Sequence, residues 1–126
     1  MIYWRGKSTD GIMKWNFEAS SFADLFNLLM SKEIINDYDY DVYDRSVLEK
    51  YDKTEDDEEF KDDDGELDYN KVQAFVDQHH LTDEELWLLI ASRDGNAYYQ
   101  TFERDTEEGR VEIGENDFDE DGHYKY

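Results

Sequence analysis

The sequence predicts an α+β fold: a small, mainly antiparallel sheet made of an N-terminal and a C-terminal hairpin, covered by about three helices, with an acidic insert. Strand-like runs lie near both ends of the chain. Between them, apolar residues recur at helical spacing behind residues suited to helix capping. An acid-dense stretch at 37–68 interrupts this order. The succession strand, strand, helix, insert, helix, helix, strand, strand is the pattern of helices packed on one face of an antiparallel sheet. With 126 residues, a single domain over 1–126 is expected, with the insert at 37–68 and an acidic, frayed tail at 115–126.

Ile2 to Lys7 and Ile12 to Glu18 read as strands joined through Ser8-Thr9-Asp10-Gly11, where Asp-Gly signals a hairpin because glycine reaches positive φ without steric cost. Met13, Trp15 and Phe17 share one face of the second run, and Lys14, Asn16 and Glu18 take the other. Ser21 with Asp24 makes a capping box, and the stripe Phe22, Leu25, Phe26 and Leu29 predicts a helix over 22–34 that lies on this hairpin. Val47, Leu48 and Tyr51 suggest a short helix within 46–53. Asp68 caps a helix over 69–78 whose apolar side is Val72, Phe75 and Val76. Thr82-Asp83-Glu84-Glu85 is the clearest helix start, a capping box with Leu81 and Leu86 at the positions of a hydrophobic staple. Trp87, Leu89 and Ile90 continue that helix toward a stop near Asp94-Gly95-Asn96. Ala97 to Arg104 and Arg110 to Gly114 are the closing strands. No internal repeat is apparent, and there is no proline.

Composition narrows the function classes. Leu, Ile, Val and Phe number 27, about 21% of the chain, close to the level at which a highly charged sequence fails to fold. Ten Tyr and three Trp restore the balance, since each ring buries roughly 150–250 Å² while its polar tip stays wet. No apolar run is long enough to span a bilayer. Met1 to Lys7 lacks the apolar core of a secretory leader, and zero Cys suits a reducing compartment, so a cytoplasmic location is expected. No phosphate loop or nucleophile elbow occurs. His79 and His80 are adjacent, so on a helix they point about 100° apart and suit a helix C-terminus better than a metal. Carboxylates abound, but none stands out as a desolvated acid-base pair. Neither catalysis nor a cofactor is expected.

The charge is −22, from 35 acids and 13 bases, and it is clustered. Residues 1–36 are neutral, 37–68 carry net −12, 69–102 net −3, and 103–121 net −8. Packing like charges so closely weakens a fold through self-repulsion, so two such blocks point to a directed field rather than to general solubility. Asp62-Asp63-Asp64-Gly65-Glu66-Leu67-Asp68 and Asp117-Phe118-Asp119-Glu120-Asp121-Gly122 each resemble part of a calcium loop. The first puts Phe60 at the opening ligand position and Lys71 at the twelfth, and the second stops short of its twelfth. Weak cation binding is the most they predict. In Asp37-Tyr38-Asp39-Tyr40-Asp41-Val42-Tyr43-Asp44, an extended chain would space Asp37, Asp39 and Asp41 about 6.6 Å apart on one face, near the spacing of phosphates on a nucleic-acid strand. Asp44, Asp52, Glu55, Asp56, Asp57, Glu58, Glu59, Asp62, Asp63, Asp64, Glu66 and Asp68 continue that row. Glu107, Glu108, Asp117, Asp119 and Asp121 belong to a second. Tyr38, Tyr40, Tyr43 and Tyr51 are placed to anchor the ribbon or to stack on guanidinium groups.

In small size, absence of Cys, Tyr set among Asp and Glu, and the runs Asp37 to Asp44, Glu55 to Asp68 and Asp117 to Asp121, the sequence resembles the acidic DNA-mimic proteins of phages and mobile elements. Those include antirestriction and anti-CRISPR inhibitors. The resemblance implies a non-enzymatic inhibitor that occupies the nucleic-acid channel of a host nuclease, restriction enzyme or CRISPR effector. The expected partner is a basic nucleic-acid-binding protein; direct binding to nucleic acid or to a membrane is not expected, because this charge opposes both. Two alternatives stay open: an immunity protein or antitoxin against a basic nuclease toxin, and an acidic module that binds divalent cations.

Overall fold

The strand signals at the two ends of the chain meet in one sheet. The protein is described as a computed structural model covering residues 1–8, 10–34, 42–92 and 99–126. Strands β1 (Ile2–Lys7), β2 (Lys14–Ala19), β3 (Tyr99–Thr106) and β4 (Gly109–Glu112) are antiparallel in the order β2-β1-β3-β4. Helices α1 (Phe22–Ser31), α2 (Val42–Lys50), α3 (Tyr69–Gln78) and α4 (Asp83–Ser92) complete an α+β fold. The chain divides into two compact units, residues 1–38 with 82–126 and residues 39–81. The second is longer than the insert expected at 37–68, because α3 packs with α2 and a 3-10 turn at Glu58–Phe60. Helices α1 and α4 belong to the same unit as the sheet, and α2 and α3 belong to the other.

In the first unit, register decides which side chains are buried. Ile2, Trp4 and Gly6 of β1 lie opposite Ala19, Phe17 and Trp15 of β2 and opposite Arg104, Phe102 and Gln100 of β3. Ile2 and Trp4 are fully buried, as are Leu25 and Leu29 of α1 and Ile90 of α4. Each such side chain contributes roughly 1.5–3 kcal/mol on leaving water. Trp4 stacks on Phe17, its ring packs over Gly6, and its indole N–H donates to Gln100 Oε1 at 3.0 Å. Phe22 meets Phe102, Phe118 and Tyr124. Helix α1 begins as expected, with the Ser21 hydroxyl accepting the Asp24 N–H at 3.1 Å. It ends three residues before the expected 34. Glu33 adopts φ 58°, its N–H bonds to Met30 O and that of Ile34 bonds to Leu29 O, turning buried Ile34 back against the helix.

In the second unit, Val47, Leu48, Phe60, Val72, Val76 and Leu81 are buried. Helix α2 starts and stops earlier than the expected 46–53, closing through the same turn: Asp52 has φ 57°, and the Asp52 and Lys53 N–H groups bond to Glu49 O and Leu48 O. Asp68 caps α3 by accepting the Asn70 N–H at 2.9 Å. His79 occupies the C-terminal cap position, its ring stacked on Phe75 and its Nδ1 2.9 Å from Phe75 O.

Candidate functional site

Both acidic blocks contain the same backbone device, at 58–68 and at 115–125, which explains why each resembles part of a calcium loop. In the first, a 3-10 turn at Glu58–Phe60 leads into a bridge between Lys61 and Leu67. Asp62 N–H donates to Glu66 O at 2.8 Å, Gly65 N–H donates to Asp62 O, and Asp68 N–H donates to Phe60 O at 2.7 Å. One carboxylate oxygen of Asp62 accepts the N–H groups of Asp64 and Glu66 at 2.9 and 3.0 Å. The second block repeats this. A 3-10 turn at Glu115–Asp117 leads into a bridge between Phe118 and Tyr124. Asp119 N–H donates to His123 O, Gly122 N–H to Asp119 O and Lys125 N–H to Asp117 O. Asp119 Oδ1 accepts the N–H groups of Asp121 and His123, both at 2.9 Å. Gly65 and Gly122 supply the positive φ, 81° and 83°, that the tight turn requires.

In each turn the chain's own amides occupy one carboxylate oxygen, Oδ1 of Asp62 in the first and Oδ1 of Asp119 in the second. Lys71, at the twelfth position of the first loop, sends its ammonium to Lys61 O at 2.5 Å. Among the described residues no three His, Asp or Glu side chains converge as a metal would need. The His123 N–H, followed by that of Asp121, holds the Asp119 carboxyl below the ordinary carboxylate range.

The segment from Glu115, expected to fray, is therefore folded. Phe118 is buried and stacks on Trp87. Glu84 N–H donates to Gly122 O, and Tyr124 N–H donates to Asp83 Oδ2, so this hairpin docks on the N-terminus of α4. That terminus carries the expected reciprocal cap between Thr82 and Glu85.

The expected partner-facing carboxylates fall into groups. Asp37, Asp39 and Asp41, with Tyr38 and Tyr40, lie outside the described residues. Asp52, Asp56, Glu58, Glu59, Asp62, Asp63, Asp64, Glu66, Glu107, Glu108, Asp119 and Asp121 are exposed. Asp44, Glu55, Asp57 and Asp68 are half-buried. Lys53 pairs with Glu59. Asp117 departs from expectation: it is buried, its Oδ1 3.1 Å from Arg104 Nη2 and its Oδ2 accepting the Gly114 N–H. It holds the fold and is not on offer to a partner. Tyr43 accepts the Leu81 N–H through its hydroxyl, and Tyr51 packs edge-on against Phe75 and His79.

Residues 39–81 hold sixteen acids and five bases, net −11, and the other unit carries the remaining −11. The open side of the sheet carries Arg5, Lys7, Lys14 and Arg110 together with Glu18, Glu103, Asp105 and Glu112, with Lys7 and Lys14 grouped at one end. Arg5 bonds to Glu103 at 2.6 Å, and Arg110 lies over the Tyr3 ring beside Asp105. The Tyr3 hydroxyl donates to Asp105 at 2.7 Å, which raises the phenol and lowers the carboxyl from their ordinary values. Sequence reasoning missed the Lys7–Lys14 pair at the end of this face. Its signal was the alternation in Ile2 to Lys7 together with the neutrality of 1–36.

No protein-family model matches the chain, and no curated protein matches it. No helix among the described residues is long and apolar enough to cross a membrane.

Proposed function

We propose that the chain is a non-enzymatic inhibitor that stands in for nucleic acid and blocks the DNA- or RNA-binding channel of a basic defence nuclease or CRISPR or restriction effector. The observation that carries this reading is the repeated Asp-anchored turn: at 60–68 and at 117–125, acids sit on backbone fixed by its own hydrogen bonds. A floppy acidic tail must surrender conformational entropy on binding, whereas carboxylates fixed in advance do not. Clustered charge also steers encounter with a cationic groove, raising association roughly 10- to 10³-fold. Its cytoplasmic setting belongs to the same proposal, since the effectors concerned work on intracellular nucleic acid.

The test is displacement of labelled DNA from such effectors. Inhibition should weaken steeply as salt rises from about 0.05 to 0.5 M, because the charges are screened over about 8 Å at physiological ionic strength. Asp62, Asp63 and Asp64 changed together to Asn should keep the turn, since the amide oxygen at 62 still accepts both N–H groups, and should lose inhibition. An affinity indifferent to salt, or full inhibition by the triple variant, counts against the proposal. Neutralisation of a ribonuclease-like toxin in place of a defence effector would transfer it to the immunity class.

A further inference from the structure

We propose that the open face of the sheet holds a nucleotide, its phosphate between Lys7, Lys14 and Arg5 and its ring on Tyr99. Register puts Lys14, Lys7 and Tyr99 in one row across β2, β1 and β3, with Asn16, Arg5 and Thr101 in the next. Residues directly opposite on an antiparallel pair have Cβ atoms about 4.5–5.5 Å apart, and like charges there destabilise the sheet. Lys7 and Lys14 nonetheless face each other. Neither has an ion-pair partner among the described residues, in a chain with 35 acids. A groove of about 390 Å³ opens over these rows, and among the described residues no carboxylate lines it. That volume falls within the roughly 300–1,000 Å³ of small-molecule sites.

The lining chemistry names the ligand. Two ammonium groups, with the Arg5 guanidinium beside them still bonded to Glu103 through one nitrogen, suit the oxygens of one phosphate. Tyr99, 65% exposed, offers a ring face for a base to stack on. The Asn16 amide and the Thr101 hydroxyl supply donors and acceptors for a ring edge. A longer phosphate chain does not fit. The row beyond Arg5 places Glu18 and Glu103 beside Tyr3, so the positive strip ends in carboxylates. A charge of −22 repels an extended polyanion. The site therefore takes one phosphate with one flat ring, and it stands whether or not the inhibitor proposal does, because its described lining residues belong to neither acidic block.

The test is titration of the isotope-labelled protein with AMP, followed by amide resonances at Gly6, Asn16 and Thr101. Adenosine, inorganic phosphate and an oligoglutamate peptide serve as parallel arms. AMP should give saturable shifts there, and adenosine or phosphate alone should bind more weakly. Lys7→Gln with Lys14→Gln removes a like-charge pair, so the variant should fold at least as stably as the parent while its AMP affinity falls about tenfold, or 1.4 kcal/mol. Tyr99→Leu should weaken AMP and leave inorganic phosphate unchanged. The proposal is overturned by absence of saturable shifts in the groove, by phosphate binding as tightly as AMP, or by undiminished AMP binding in the double lysine variant. Capture of the peptide in place of AMP also overturns it, and assigns the groove to an acidic protein segment.

Discussion

Replacing Gly6 with alanine probes the tightest contact in the core. A Cβ at this position would stand 2.5 Å from Cη2 and 2.8 Å from Cζ2 of Trp4, an indole with no solvent exposure. Ordinary carbon contacts lie at about 3.5–4.0 Å, so the ring must retreat by about 1 Å. It is held by Phe17 on one side and by its bond to Gln100, whose amide donates in turn to Ile90 O in α4 at 3.2 Å. Overpacking of this kind costs about 1–3 kcal/mol, and loss of the indole bond about 1 more. Alanine recovers about 0.5–1 kcal/mol by restricting the unfolded chain. The net expectation is a loss of about 2 kcal/mol, read by urea unfolding followed through tryptophan fluorescence. In a Trp4→Phe background the clashing ring atoms are gone, and Gly6→Ala should be close to neutral. A penalty below about 0.5 kcal/mol in the parent, or an equal penalty in both backgrounds, refutes this description of the core.

Asp52 closes α2 in a left-handed conformation that costs a non-glycine residue about 1–2 kcal/mol. Asp52→Gly should therefore raise stability by about 1 kcal/mol in thermal or urea unfolding; destabilisation would show that the aspartate side chain matters more than its backbone. For Asp119, the lowered carboxyl means that ionisation favours the folded state, a contribution present above the ordinary value of about 3.9 and lost as pH falls through it and below. Wild type should exceed Asp119→Asn in stability at pH 7, and the gap should narrow progressively as pH falls below the ordinary carboxylate value. A gap that widens on acidification contradicts the assignment.

Most of the fold was legible because local patterns agreed with the long-range pairing. The alternation in β1 and β2, the Ser21 and Asp68 caps and the Thr82–Glu85 box all lie where their chemistry suggests. The helix ends at Ser31 and Lys50 were not legible, since the stop in each case is a Glu or Asp in a left-handed turn, where glycine is the usual signal. The fate of the acidic tail was hidden for another reason. Charge count suggested fraying, but Phe118, Tyr124 and the Asp117–Arg104 pair tie 115–126 into the core. The repeat of the Asp-anchored turn shows in sequence only as Asp-x-Asp-Gly, a spacing that pointed to calcium because cation and backbone amide compete for the same oxygen. The cationic end of the open face emerged only when register set Lys7 beside Lys14.

The direct comparison is between order and charge alone. Labelled DNA bound to a panel of defence nucleases and CRISPR effectors is challenged with the intact protein and with polyglutamate of equal net charge. Against its own target, the protein is predicted to displace DNA at a concentration at least about tenfold lower than the polymer, a margin of 1.4 kcal/mol. Equal potency of the two would mean that fixed carboxylates confer nothing beyond their charge, and the mimicry proposal would be wrong.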